Sequence, residues 1–255
     1  MPTMSRKVNG NQCKYFYAVV SGSKERIYDV TGIDGASVYS IPQGNLSAVV
    51  SDVPFKRIRP ERRHFAAHHG VLQQLIAEDA LLPMAFGIIS DGEKAVRSFL
   101  AKNRKPLNQQ IQRVAGKVEM GLKVRWDVPN IFEYMTNVHA ELGFARDALL
   151  HGARAATQDE RIELGRMFEN FLTSDREAYS ERVEAFLEPC CDEIKRDKCR
   201  DEREIMNLAC LVRRENLDAF EVAVFEAARG FDDNFAFDYN GPWAPHNFVD
   251  MNIDT

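Results

Sequence analysis

The sequence lacks any uninterrupted apolar run long enough to cross a bilayer. Residues 80–90 (ALLPMAFGIIS) are apolar but broken by Pro83 and Gly87, and a span needs ~18 such residues. No lipid-membrane partner is expected. The opening residues, 1–11, have no apolar core, so they do not read as a secretory signal. Residues 1–13 read as a disordered lead-in. Cysteine is scarce: Cys13, Cys190, Cys191, Cys199 and Cys210 are odd in number and contain no C-x-x-C. In a long chain without a signal, that pattern points to free thiols in a reducing cytoplasm. Basic residues are in deficit, 33 Lys and Arg against 38 Asp and Glu, which argues against a nucleic-acid partner. No Gly-rich phosphate loop, G-x-S-x-G elbow, internal repeat or low-complexity tract occurs.

What is present is the composition of a soluble globular protein with a real core, 45% apolar and 28% charged. A length of 255 residues suggests two domains. Residues 14–21 (KYFYAVVS), 37–41 and 46–53 are rich in aromatic and β-branched residues and read as strands. Residues 42–45 (PQGN) form the hairpin turn between the last two, and the Gly-rich residues 22–35 read as turns. Pro60 opens a helix running to about Glu78 on the spacing of Phe65, His68, Leu72, Leu75 and Ile76. Pro83 and Gly87 make the next stretch an edge strand or bulge. Asp91 and Pro106 start two further helices, and Val118 to Trp126 alternates as a half-buried strand.

Pro129 opens a helical link. Leu164, Phe168, Leu172, Tyr179, Val183 and Phe186 form the stripe of one long helix from about Thr157, ended by Pro189. Residues 192–204 are nearly all charged, with signs that cancel, and read as a solvated hairpin. Residues 205–212 form a strand, Asn216 caps a helix stopped by Gly230, and residues 231–239 form the last strand. The expected fold is α+β, with two domains of small mixed or antiparallel sheets, each packed by helices on one face. The boundaries are a 14–128 N-terminal domain, a 129–156 helical link, a 157–240 C-terminal domain of ferredoxin-like kind, and a 241–255 tail.

Chemistry is sparse. His64 and His68 are four residues apart on one helix, a metal-ligand spacing, with His69 beside them. No HExxH acid accompanies them, and a boundary or surface role is the plainer reading. A metal protein or enzyme using His64, His68 and His69 is the alternative function. Cys190, Cys191, Cys199 and Cys210 lack chelating spacing, and Cys210 lies in an apolar strand. The basic cluster at residues 56–63 (KRIRPERR) reads as a solvated loop. No catalytic residue and no cofactor are expected.

The tail is the most distinctive segment. In Gly241-Pro242-Trp243-Ala244-Pro245-His246-Asn247-Phe248, two prolines hold the backbone extended or turned, and two aromatic rings should not stay in water. This Gly-Pro-Trp-x-Pro-x-x-Phe ending resembles the gas vesicle accessory proteins of the GvpF/GvpL family. Further segments are similar in the same order. Tyr15 to Val20 resembles the opening strand, and Asn45-Leu46-Ser47-Ala48-Val49-Val50-Ser51 the G-x-L-x-A-V-V-S strand. His68-His69-Gly70-Val71-Leu72 precedes Leu82-Pro83-Met84-Ala85-Phe86-Gly87, similar to V-L-P-x-R-F-G. Glu119 to Val124 resembles E-x-x-L-K-V, and Asn207 to Val212 resembles N-x-A-F-L-V. The similarity spans residues 14 to 249. Ala85 departs from the family's Arg, Cys210 from an aromatic, and His246-Asn247 from Tyr-Ser.

The resemblance implies a non-enzymatic role in building gas vesicles, with a cytoplasmic and gas-vesicle location. The implied partners are the very hydrophobic shell protein and other accessory proteins, bound during nucleation or early assembly. An exposed apolar or sheet-edge surface would serve that role. Pro83, Phe86 and Ile88 on the edge, and Trp243, His246 and Phe248 in the tail, are the expected contacts. Internal packing is the competing expectation for the large aromatics.

Overall fold

The computed structural model describes residues 12–54, 57–78, 80–151 and 154–249. Most of the expected lead-in, Lys56 of the basic cluster and residues 250–255 of the tail lie outside the described residues. The chain divides into two units, Met1–Glu119 with Pro242–Thr255, and Met120–Gly241.

The first unit is built around β1 (Cys13–Ser21). It is followed by β2 (Ile27–Thr31), β3 (Ser37–Gln43), β4 (Leu46–Val53), α1 (Arg62–Glu78), β5 (Leu81–Pro83), β6 (Ile89–Ser90), α2 (Glu93–Lys102) and α3 (Arg104–Val114). The sheet order is β2-β3-β4-β1-β5, with β6 also pairing β1. All of these pairings are antiparallel. Cys13, counted above with the lead-in, already pairs with Val53. β2 lies where turns were expected. Five residues between glycines carry little strand signal, and the pairing of Ile27 with Tyr39 and Tyr28 with Val38 makes the strand.

Helices cover both faces of this sheet rather than one. β1 and β4 are buried along nearly their whole length, which is why they read as continuous apolar runs without strict alternation. A bulge at Tyr17 separates the pairs Phe16–Val50 and Ala18–Val49. The extra residue resets the alternation. Phe16 and Val19 therefore share one face, packed with Ile41, Leu46, Val50, Val96 and Leu100 of α2, and Leu107 and Ile111 of α3. Tyr15 and Tyr17 share the other, against His68 of α1.

The second unit contains most of β7 (Lys117–Trp126), then α4 (Ile131–Val138), α5 (Ala140–His151), α6 (Gln158–Leu187), β8 (Cys191–Asp197), β9 (Glu204–Arg213), α7 (Leu217–Ala228) and β10 (Phe235–Trp243). Its sheet runs β10-β7-β9-β8. Counted within the unit, that is the fourth-first-third-second order of a ferredoxin-like β-α-β-β-α-β arrangement. The expected boundary at residue 128 therefore moves to between Glu119 and Met120. β7, read as the last strand of the first domain, is the first strand of the second. Its alternation gave its conformation but not its neighbours. The helical link, α4 and α5, also lies inside the second unit. Thr157 caps α6 in a reciprocal pair with Glu160. The first part of the charge run is β8, where Arg196 pairs with Glu184 and Glu177 of α6.

Candidate partner-docking surface

The segment after α1 must pair with β1 twice. Pro83 lies opposite Ala18 and Ser90 opposite Lys14, while Met84 N–H donates to the Tyr17 carbonyl at 2.8 Å and Phe16 N–H to the Ile88 carbonyl at 2.9 Å. The residues between, 85–87, loop away from β1, with Gly87 taking φ +89°, a conformation that favours glycine. The loop is pinned from inside. Gly87 N–H donates to the Tyr15 hydroxyl at 3.1 Å, and that hydroxyl lies 3.0 Å from His68 Nδ1. The Tyr15 hydroxyl thus links the loop backbone to α1. Burial pushes His68 down to about 4, helped by nearby His246 and opposed by the Met84 carbonyl. Burial also pushes the Tyr15 hydroxyl up to about 12. Phe86 rides on this support, stacked on Phe65 at 4.1 Å between ring centres.

The tail packs on the same unit. Gly241 enters with φ +124°. The Pro242 carbonyl accepts from Gln73 Nε2 at 3.1 Å, and Trp243 lies 4.7 Å from the His69 ring. The carboxylate of Glu119 accepts from both the backbone N–H and the side-chain amide of Asn247, each at 2.9 Å. Phe248 is 0% exposed, and Val249 rests on the aliphatic core.

Of the residues singled out from sequence, Ile88 and His246 are exposed, Phe86 and Trp243 half-buried, and Pro83 and Phe248 buried. The loop and tail border two hollows that share His246. One, of ≈ 440 Å³, holds Arg62, Phe65, His68, His69 and Phe86. The other, of ≈ 680 Å³, has Phe16, Met84, Ile88, Ile89, Val96 and Phe99 as its apolar lining. Phe65 shares the helical spacing of the buried residues of α1, and Phe99 that of Val96 and Leu100 on α2. They lie instead at the rims of their helices' apolar stripes, half-buried or exposed, which a period of 3.6 does not resolve.

The three histidines of α1 have separate partners. His64 Nδ1 meets the Arg59 carbonyl at 2.7 Å and Nε2 meets Asp34 at 2.9 Å. These two, the carbonyl first, raise its pKa. His68 is engaged by Tyr15, and His69 faces Trp243. Among the described residues, no three His, Cys, Asp or Glu side chains gather to hold a metal ion. All five cysteines are free thiols, and burial pushes Cys190 up to about 12. A polar cluster went unread in the sequence: Lys14, 5% exposed, pairs with Asp52 directly across the β1–β4 ladder. The Tyr39 hydroxyl donates to the same carboxylate at 2.8 Å. Burial works against the Lys14 charge, but Asp52 and Tyr39 outweigh it and hold its pKa above the ordinary value.

The architecture is thus a two-unit α+β protein whose accessible features suit contact with a partner. The family model for the gas vesicle synthesis protein GvpL/GvpF matches residues 13–250, and the chain belongs to that family of gas vesicle accessory proteins. It is 26% identical to gas vesicle protein F of Nostoc sp. (strain PCC 7120) over 93% of this chain and 98% of that one. To gas vesicle protein F2 of Halobacterium salinarum it is 29% identical, over 94% and 93%. The crystal structure of GvpF from Anabaena sp. PCC7120 superposes with a TM-score of 0.82 at 26% identity, covering 94% of this chain and 99% of that one. No helix among the described residues is long and apolar enough to cross a membrane.

Proposed function

We propose that this chain binds the gas vesicle shell protein and other accessory proteins during nucleation and early assembly, through the 83–89 loop and the surface beside the tail. One observation carries the reading. The loop carrying Phe86 and Ile88 is tied to β1 through Met84, Gly87 and Ile88, and Phe86 stacks on exposed Phe65 of α1, so an apolar patch is presented at the surface. A shell subunit as hydrophobic as the family resemblance implies exposes more apolar surface than water tolerates, and a preorganised patch covers it without paying to order itself. The role is chaperone-like, or that of a minor structural component.

The test is co-expression with the shell protein and capture on the tagged full chain, intact and as the double variant Phe86→Ser, Ile88→Ser. Loss of about tenfold or more in captured shell protein, the scale of removing aromatic and aliphatic anchors, with unchanged circular dichroism, is expected. Undiminished capture by a folded variant would overturn the surface assignment. Retention of the chain on purified vesicles after a urea wash would select the structural role over the transient one.

A further inference from the structure

We infer that the ≈ 680 Å³ cleft beside the loop takes an apolar polypeptide segment that carries a carboxylate next to its apolar anchor, and that Lys102 selects it. The inference rests on the docking reading above and adds the chemistry of the partner. The floor and walls of the cleft are Phe16, Met84, Ile88, Ile89, Val96 and Phe99, and Phe16 and Phe99 meet edge to face at 5.5 Å. That lining suits Leu-, Ile- or Val-sized side chains. The polar members of the lining are Ser90, Ser98, Lys102 and His246. Among the described residues none of the lining is acidic, although the chain as a whole carries a net charge of -5.

Lys102 is the last residue of α2, at its carbonyl end, and is exposed. It makes no ion pair among the described residues, whereas Arg97, earlier on the same helix, is committed to Glu93. A cation unpaired among the described residues, at the lip of an apolar cleft with no carboxylate among its described lining, is complementary to an anion beside an apolar group. A basic segment would meet repulsion there. The volume is that of a site for a few side chains, so the occupant is a short segment rather than a whole face.

Two fluorescein-labelled octapeptides rich in Leu and Ile serve as probes, identical except that one carries a central Glu and the other a Lys. They are titrated by fluorescence anisotropy against the full chain. The Glu peptide is expected to bind the native protein about threefold or more tightly than its Lys twin, since a pair at a partly exposed rim contributes modestly. Lys102→Glu should reverse that order. Ala95→Trp, which fills the cleft, should weaken both peptides, and Ser98→Trp provides a second blocking variant should the first fail to fold.

Equal binding of the two peptides, unmoved by Lys102→Glu but lost in Ala95→Trp, would overturn the charge selection while leaving an apolar docking cleft. Peptide binding and shell capture that both survive the blocking variants would remove this cleft from the docking surface. Binding of decanoate with no binding of either peptide would show that the site takes a small amphiphile, and would overturn the assignment to a polypeptide.

Discussion

The two faces of the first sheet are built from different chemistry. Toward α2 and α3 the contacts are mainly aliphatic, with Val19, Ile41, Leu46, Val50, Val96, Leu100, Leu107 and Ile111 around Phe16. Toward α1 they are aromatic and hydrogen-bonded. Tyr17 donates to Ser51 and accepts from the backbone N–H of Ile33, Tyr15 joins Gly87 to His68, and His64 joins Asp34 to the Arg59 carbonyl. The aliphatic face gains stability from area removed from water, which is non-directional and indifferent to pH. The α1 face gains less per contact but fixes direction, because each donor needs its acceptor. The loop at residues 85–87 hangs from that second face. The Lys14–Asp52–Tyr39 cluster is the exception that closes one end of the aliphatic side with charge.

That exception should give the largest effect. Asp52→Ala leaves the Lys14 ammonium buried without its partner and should cost about 3–5 kcal/mol in urea denaturation, more than Leu100→Ala in the aliphatic layer if that layer collapses around the gap. Next comes pH. His68 is neutral when folded, with its pKa pushed down to about 4, while an unfolded histidine titrates near 6.5. Between those values the unfolded chain binds more protons, so this contribution is complete above pH 6.5 and declines as pH falls toward 4. About 2 kcal/mol should be lost from pH 7 to pH 5. Thermal melts of His68→Phe should show a flatter acid limb than the native chain.

His64, on the same helix, has its pKa raised. Its contribution is full below pH 6.5 and fades as pH rises through the folded value, the opposite sign. The smallest effect falls on Tyr15→Phe, which removes the hydroxyl between Gly87 and His68 and should cost about 1–2 kcal/mol. Faster amide hydrogen exchange at Gly87 and Phe86, with the aliphatic core unchanged, would mark the α1 face as the support of the loop. Unchanged exchange there would break the contrast between the two faces.

Much of this was legible along the chain. β1, β3, β4, β7, β9, α1 and α6 follow from β-branched runs, hairpin signals and helical spacing, whereas β10 runs on to Trp243, past the expected start of the tail at Gly241. β2 was not, because five residues gain strand character only from the β3 edge beside them. The loop at residues 85–87 was legible as an interruption by Pro83 and Gly87, but not in the pairing of both its ends with β1. Pro83 and Phe248 drew attention as large or unusual residues and are buried, since a segment's composition does not say which side it turns to its neighbours. Phe65 and Lys102 join the proposed docking surface through positions at helix rims and ends, where no sequence pattern separates solvent from partner.

By itself the sequence determined the class of this protein, through alternating and helical periods, the placing of its breakers, and separated motifs in the order of the GvpF/GvpL family. Those are local signals, set by the backbone preferences of neighbouring residues. Tertiary structure alone decided that β7 belongs with the second sheet, that helices cover both faces of the first, and that the pKa of His64 is raised while that of His68 is lowered. Each of these depends on contacts between residues distant in the chain: strand partners, the phase reset at the Tyr17 bulge, and whether an imidazole faces a carboxylate or a tyrosine in a dry interior.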